Sequence, residues 1–572
     1  VRVSRDAKRF AYQVSTAGSD WSVWRFLDPA TGKKLDDELK HIKFGGGSWS
    51  KDGRSFYYSR YPAPKQGEKF QALNLNQAVY LHRLGTPQSE DKLVYHNPKH
   101  PEWGYEPMVT EDGRYLILTI HVGTDSRYRI TVIDLREPDP KSKLASLGSD
   151  KSKPILLIDN FKHEYTFVGN TGSVLYFKTD LDATRKRLIS FDLARPELTA
   201  REIIPEEVET LESVSFVGGR FIASYLQDVK SLVKVYTPAG KLVRTIDFPG
   251  IGSASGFEGL QADTETFYTF ESYATPPTVY RYDVATGKST LYYRTEVPFD
   301  SEKYTVEQIF YKSKDGTRVP MFVIHRKGIN LDGSHPTVLY GYGGFTISLT
   351  PRYSLRIASW LELGGVFAVA NLRGGGEYGE TWHKAGTKLR KQNVFDDFIA
   401  AAETLIEKGY TRTDKLAIMG GSNGGLLVGA VMTQRPDLFG ACLPAVGVMD
   451  MLRFHKFTAG RFWTDDYGSS DNPDEFRALL AYSPYHNLKK GTCYPATLIT
   501  TADTDDRVVP GHSFKFAAAL QHAQSCDNPV LIRIETEAGH GMGKPTSKQI
   551  DEMTDLWAFL FKVLKVETKS IL

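Results

Sequence analysis

Hydrophobic positions fall into two textures along the 572-residue chain. From Val1 to about Thr295 they alternate with polar positions in short runs broken by turns, the pattern of half-buried strands, and helical periodicity is almost absent. A turn carrying Asp, Gly or Asn, followed by an aliphatic or aromatic run, recurs six times, beginning at Asp6, Asp52, Asp112, Thr171, Gly218 and Asp263. Propeller blades repeat at roughly 40–50 residues and take up insertions in their loops. The repeat therefore predicts a β-propeller with about six blades over 1–298. An irregular β-sandwich is the plainer alternative, since turn-plus-strand units occur in any all-β protein.

After Phe299 the texture changes. A hairpin over 305–311 and 319–325 turns at Lys314-Asp315-Gly316. Near-continuous apolar runs follow at 337–340, 366–370, 416–419, 442–446, 496–500 and 530–534, interleaved with helical patterns at 395–408, 424–432, 512–522 and 550–564. Apolar strands alternating with helices predict a mostly parallel, doubly wound sheet covered on both faces. The second domain, 299–572, is thus α/β.

Composition changes this picture little. Lys and Arg total 71 against 68 Asp and Glu, a formal charge of +3, and no basic face points to nucleic acid. No apolar run approaches a membrane span, and the polar N-terminus carries no apolar signal-peptide core. Three widely spaced cysteines, Cys442, Cys493 and Cys526, predict reduced thiols in the cytoplasm rather than a disulfide framework or a zinc site.

The candidate chemistry begins at Gly420-Gly421-Ser422-Asn423-Gly424, a G-x-S-x-G set between an apolar strand and a helix. In that context a serine sits on a strained turn at the carboxyl end of the sheet, with a helix N-terminus behind it. A serine hydroxyl needs a base oriented by an acid, and these follow the nucleophile in chain order at later strand ends. The loop after 496–500 carries Asp503, Asp505 and Asp506, and the loop after 530–534 carries Gly539-His540-Gly541. His540 is the expected base; spacing alone leaves the acid open among the three aspartates. One oxyanion donor is expected from the Asn423 N–H. The second comes from the loop Tyr340-Gly341-Tyr342-Gly343-Gly344-Phe345, by its backbone or by the Tyr342 hydroxyl. Gly374-Gly375-Gly376-Glu377-Tyr378-Gly379 matches a dinucleotide fingerprint, but no apolar helix follows it, and an ordinary loop is expected there.

Together the stretches 340–345, 373–382, 420–427, 446–452, 505–510 and 538–545 resemble the prolyl oligopeptidase family of serine peptidases, across nearly all of 300–572 and more weakly through the strand-rich half. The resemblance implies an α/β-hydrolase domain beside the propeller. It makes Asp505 the triad acid and Tyr342 the partner of Asn423 in the oxyanion hole. It implies that Trp463 stacks on a substrate proline, that Phe345, Val508 and Tyr467 complete an apolar pocket, and that Arg507 binds the preceding carbonyl. The implied protein is a monomeric endopeptidase that acts on short proline-containing peptides. It needs no cofactor or metal, and the propeller restricts substrate size. Family members carry an N-terminal segment and seven blades, so that segment and the first blade are expected to be missing here. His121 stands where relatives place a propeller arginine.

Overall fold

A computed structural model describes residues 1–63, 73–136, 154–541 and 543–566. The chain forms two compact units. One comprises Val1–Glu206 with Phe457–Phe462, and the other Glu207–Lys456 with Trp463–Leu572.

Among the described residues the first unit holds four antiparallel meanders of four strands each, and the second begins with two more of the same kind. The recurring sequence unit is the second strand of each sheet, as in Ser55–Arg60 and Tyr115–Val122. Its leading turn has a local cause. Thr110 donates its hydroxyl to Asp112 at 2.7 Å, Asp112 accepts the Arg114 N–H at 3.0 Å, and Gly113 takes φ 72°. An aspartate bonding its own backbone two residues on, followed by a residue tolerant of positive φ, makes a compact turn. Ser50-Lys51-Asp52-Gly53 repeats it, with the Ser50 hydroxyl 2.7 Å from Asp52. Strand faces from neighbouring sheets interdigitate, as where Trp24, Phe26 and Ile42 pack with Trp49, Phe56 and Tyr58.

In the second unit the hairpin strands are β1 (Tyr304–Lys312) and β2 (Arg318–Arg326). They are followed by β3 (Thr337–Tyr340), β4 (Val366–Ala370), β5 (Leu416–Gly421), β6 (Ala441–Ala445), β7 (Ala496–Ala502) and β8 (Val530–Glu535). They order as β1-β2-β4-β3-β5-β6-β7-β8, antiparallel through β2 and parallel from β4 onward. On one face Ala417, Met419, Ala441, Leu443 and Leu498 pack with Trp360, Trp557 and Leu560, from helices Leu355–Glu362 and Thr546–Val563. The first of these helices was not anticipated, because eight residues give the 3.6-residue period too little length to register. The same core takes in Val229, Tyr273 and Ala274 from the last two meanders, which explains why those sheets belong to this unit.

The cysteine expectation needs correction. Cys493 and Cys526 form a disulfide with a Cα–Cα distance of 5.2 Å, and Cys442 alone remains a buried thiol. The bridge joins the segment entering β7 to the segment entering β8, where Thr492 pairs with Gln524. Among the described residues no helix is long and apolar enough to cross a membrane.

Candidate active site

Ser422 follows β5 directly and caps helix Asn423–Gln434 with φ 59° and ψ −117°. A non-glycine residue there costs about 1–3 kcal/mol and persists only where its surroundings impose it. Here the Ser422 N–H donates to the Ala445 carbonyl at 2.9 Å, tying the turn to the end of β6. Gly425 is required by close approach, since a Cβ would sit 2.6 Å from both the Ala445 oxygen and the Gly447 Cα, backbone atoms that cannot swing aside. The glycine pattern read from sequence thus permits two chain segments to touch and presents one hydroxyl at the carboxyl rim of the sheet.

The loops after β7 and β8 are stitched together at that rim. Asp503 N–H donates to the Glu535 carbonyl at 2.9 Å, and Thr504 donates to the Ala538 carbonyl from its N–H at 3.1 Å and its hydroxyl at 2.7 Å. This brings His540 Nδ1 to 2.7 Å from Asp505 Oδ2. Asp505 is fully buried, and its other oxygen accepts the Arg507 and Val508 N–H groups at 3.0 and 2.9 Å. The carboxylate is therefore locked, and the imidazole directs Nε2 away from it. Of the three aspartates left open by spacing, Asp505 is the one bonded to His540, while Asp503 accepts the Ala538 N–H. Among the described residues Ser422 and His540 share no direct hydrogen bond. Such bonds are commonly long without substrate and tighten on binding.

Burial, reinforced by Tyr340 and Asp466, raises the pKa of the Tyr342 hydroxyl, so it stays a protonated donor at neutral pH, and Ser422 is close enough to act on it. Arg507 is close enough for its charge to act on the same hydroxyl. The Asn423 side chain braces the other side. Its Nδ2 donates to the Tyr342 carbonyl at 2.5 Å, and its Oδ1 accepts from the Tyr467 hydroxyl at 2.8 Å.

Trp463, Phe345 and Tyr467 are joined by an aromatic that sequence reasoning missed. Phe454 lies parallel to Trp463, with centroids 6.3 Å apart and planes 13° from coplanar, and meets Tyr467 edge-on at 5.3 Å. Phe345 meets Tyr467 edge-on at 5.4 Å. Trp463 keeps 8% of its surface exposed and Tyr467 1%, so these rings form a nearly dry wall, and Val508, on the Asp505 loop, is also buried. A buried charged group behind this wall was also missed. Asp466 accepts the Phe345 N–H at 2.7 Å and bonds His383 Nε2 at 2.9 Å, and Lys391 donates to the Gly343 carbonyl at 2.8 Å. Charged residues outside any motif give no sequence signal for such burial. His121 lies in the first unit, its ring packed over Gly104, and lines a cleft of about 390 Å³ with Glu106, Tyr128 and Tyr165.

The model of the N-terminal β-propeller domain of prolyl oligopeptidase matches residues 1–295, and that of the prolyl oligopeptidase family matches 351–567. The chain belongs to the prolyl oligopeptidase family. It is thus a serine peptidase built from a β-propeller and an α/β-hydrolase domain. A prolyl endopeptidase of Elizabethkingia meningoseptica is 46% identical over 96% of this chain and 76% of its own length. A dual function macrocyclase-peptidase of Galerina marginata is 38% identical over the whole chain and 80% of its own length. Among solved structures, a prolyl endopeptidase studied for inter-domain dynamics superposes with TM-score 0.92 at 41% identity, covering 99% of this chain and 81% of that one. Prolyl oligopeptidase B of Galerina marginata, bound to a 35mer hydrolysis and macrocyclization substrate, gives 0.93 at 38% identity, covering 99% and 80%.

Proposed function

We propose that this prolyl oligopeptidase-family chain is an endopeptidase that cleaves short peptides on the carboxyl side of proline. The observation that carries the reading is the buried Asp505–His540 bond, formed at the same sheet rim that presents Ser422. Ser422 Oγ attacks the carbonyl carbon and gives its proton to His540 Nε2, while Asp505 holds the imidazole tautomer and stabilises its charged form. The oxyanion accepts hydrogen bonds from the Asn423 N–H and the Tyr342 hydroxyl. The C–N bond breaks as His540 returns the proton to the leaving amine. Water, deprotonated by His540, then hydrolyses the acyl-enzyme, and the proton ends on Ser422. Trp463, backed by Phe454, forms the flat wall for the pyrrolidine ring, with Phe345, Tyr467 and Val508 closing the slot and Arg507 binding the preceding carbonyl.

The change from alternating to near-continuous apolar strands and the end of the propeller match at 295 support domains of 1–298 and 299–572. The propeller is assigned the role of excluding folded proteins, and the enzyme is taken to act as a monomer. Cytoplasmic location loses its premise with the disulfide, which suits an oxidising compartment; cell fractionation decides between the two.

The test is fluorophosphonate labelling together with turnover of a blocked Gly-Pro reporter peptide. Labelling at Ser422 that disappears in Ser422→Ala, with reporter cleavage, supports the reading. Labelling with ester turnover but no Gly-Pro cleavage replaces it with an esterase or acyl-peptide hydrolase. Absence of labelling marks an inactive scaffold.

A further inference from the structure

The loop that carries Tyr342 is held in a conformation it would not adopt alone. Gly343, Phe345 and Thr346 have φ of 68°, 57° and 54°, and each non-glycine residue there costs of order 1–3 kcal/mol unless its neighbours over-determine it. The loop's own backbone supplies few restraints, chiefly Ile347 N–H to the Gly344 carbonyl at 3.1 Å and Thr346 N–H to the Gly374 carbonyl at 3.1 Å.

Further restraints come from charged side chains buried beneath it. Lys391, 1% exposed, ends on the Gly343 carbonyl, one residue past Tyr342. Asp466, 3% exposed, takes the Phe345 N–H, three residues past it. The second Asp466 oxygen is occupied by His383 Nε2, and His383 Nδ1 lies 3.5 Å from Glu380. The Lys391 ammonium also sits 5.3 Å from the Tyr467 ring centroid, and Tyr467 holds the Asn423 side chain that grips the Tyr342 carbonyl. Buried charges are costly unless paired and hydrogen-bonded. A lysine, an aspartate and a histidine placed together under one strained loop need a reason beyond stability.

We propose that Asp466, Lys391 and His383 form a positioning clamp that fixes the 342–346 backbone, so that the Tyr342 hydroxyl meets the oxyanion developing at Ser422. This rests on the acyl-transfer reading above and assigns these three residues no contact with substrate. The clamp is charge-dependent. Burial lowers Lys391 to about 8, with Asp466 opposing. Burial also works against charge on His383, but Asp466 and Glu380 raise it to about 9. Both cations are therefore present at pH 7, and both discharge across the alkaline range, Lys391 first. The groups facing them are Asp466 and Tyr467 for Lys391, and Asp466 and Glu380 for His383.

The test is a double-mutant cycle between Asp466→Asn and Tyr342→Phe in the full chain. It is read as single-turnover acylation by a simple ester and by the Gly-Pro reporter, with melting temperature recorded for each variant. Loss of one oxyanion donor costs roughly 10²–10³-fold in rate. Asp466→Asn should slow acylation by ~10–100-fold in the parent background, a part of that full loss, and less than ~3-fold when Tyr342 is already Phe, because groups acting through one donor are not additive. Equal losses in both backgrounds would overturn the clamp. Lys391→Met gives a second arm should Asp466→Asn fold poorly. It should slow acylation at pH 7 and move the alkaline decline expected of the parent from about 8 up to the His383 range near 9; an unchanged alkaline limb counts against the proposal. Ester acylation without Gly-Pro turnover in the parent would sink the proline reading and leave the cycle interpretable on the ester, whereas an unreactive Ser422 would sink both.

Discussion

Replacing Trp463 with alanine removes one wall of the proposed proline slot while leaving Ser422, His540, Asp505 and both proposed oxyanion donors in place. The indole is 8% exposed and lies parallel to Phe454, and the proposed stacking uses the face turned away from Phe454. A pyrrolidine ring offers about three methylenes, each worth ~0.8 kcal/mol when buried. Losing contact on roughly one face forfeits about 1–1.5 kcal/mol, and ring stacking adds ~0.5–1.5 kcal/mol. The sum, about 1.5–3 kcal/mol, is a ~10- to 150-fold fall in kcat/KM for a blocked Gly-Pro reporter. A simple acyl ester that leaves the slot empty should lose under ~3-fold. The assay is the ratio of the two specificity constants in wild-type and variant, with melting temperature as a control, because truncating a buried indole also costs ~3–5 kcal/mol of stability. Equal losses on ester and proline substrate would refute the stacking role and recast Trp463 as ordinary core.

Two further outcomes follow from the geometry. Asp505→Asn keeps the shape but alters the acceptor pair that fixes the His540 tautomer, so kcat on the reporter should fall ~10³–10⁴-fold with little change in melting temperature; retention of more than a tenth of the activity would contradict the relay. Glu377 is 1% exposed with Oε2 unpartnered, and burial raises it to about 7. Its folded pKa lies above the unfolded value near 4.5, so the native state holds the extra proton between them. Its favourable effect on stability is complete below about 4.5 and is lost as pH rises through 7. Glu377→Gln should therefore raise the melting temperature at pH 8.5 relative to wild-type, by up to about 3 kcal/mol of stability, and leave it nearly unchanged at pH 4; a pH-independent difference would disprove the titration.

How much was legible in the sequence depended on the range over which each feature is decided. The blade repeat, the Ser422 turn and the α/β alternation are local. Asp112 bonds its own turn, Gly425 is glycine because a carbonyl lies 2.6 Å from where its Cβ would be, and apolar periodicity follows from which face of a strand or helix is wet. What joined the site was decided over long range. Asp505 and His540 meet because two loops, each following a different strand, are stitched by Asp503 and Thr504, and spacing alone left three aspartates open. Phe454, Lys391, His383 and Asp466 carry no motif, and their burial depends on side chains far away in the chain. The pairing of Cys493 with Cys526 likewise required the starts of β7 and β8 to lie side by side, which a count of three cysteines cannot reveal. Composition and periodicity set which elements form; packing chose which of their side chains share a dry, low-dielectric space, where a single hydrogen bond or charge decides chemistry.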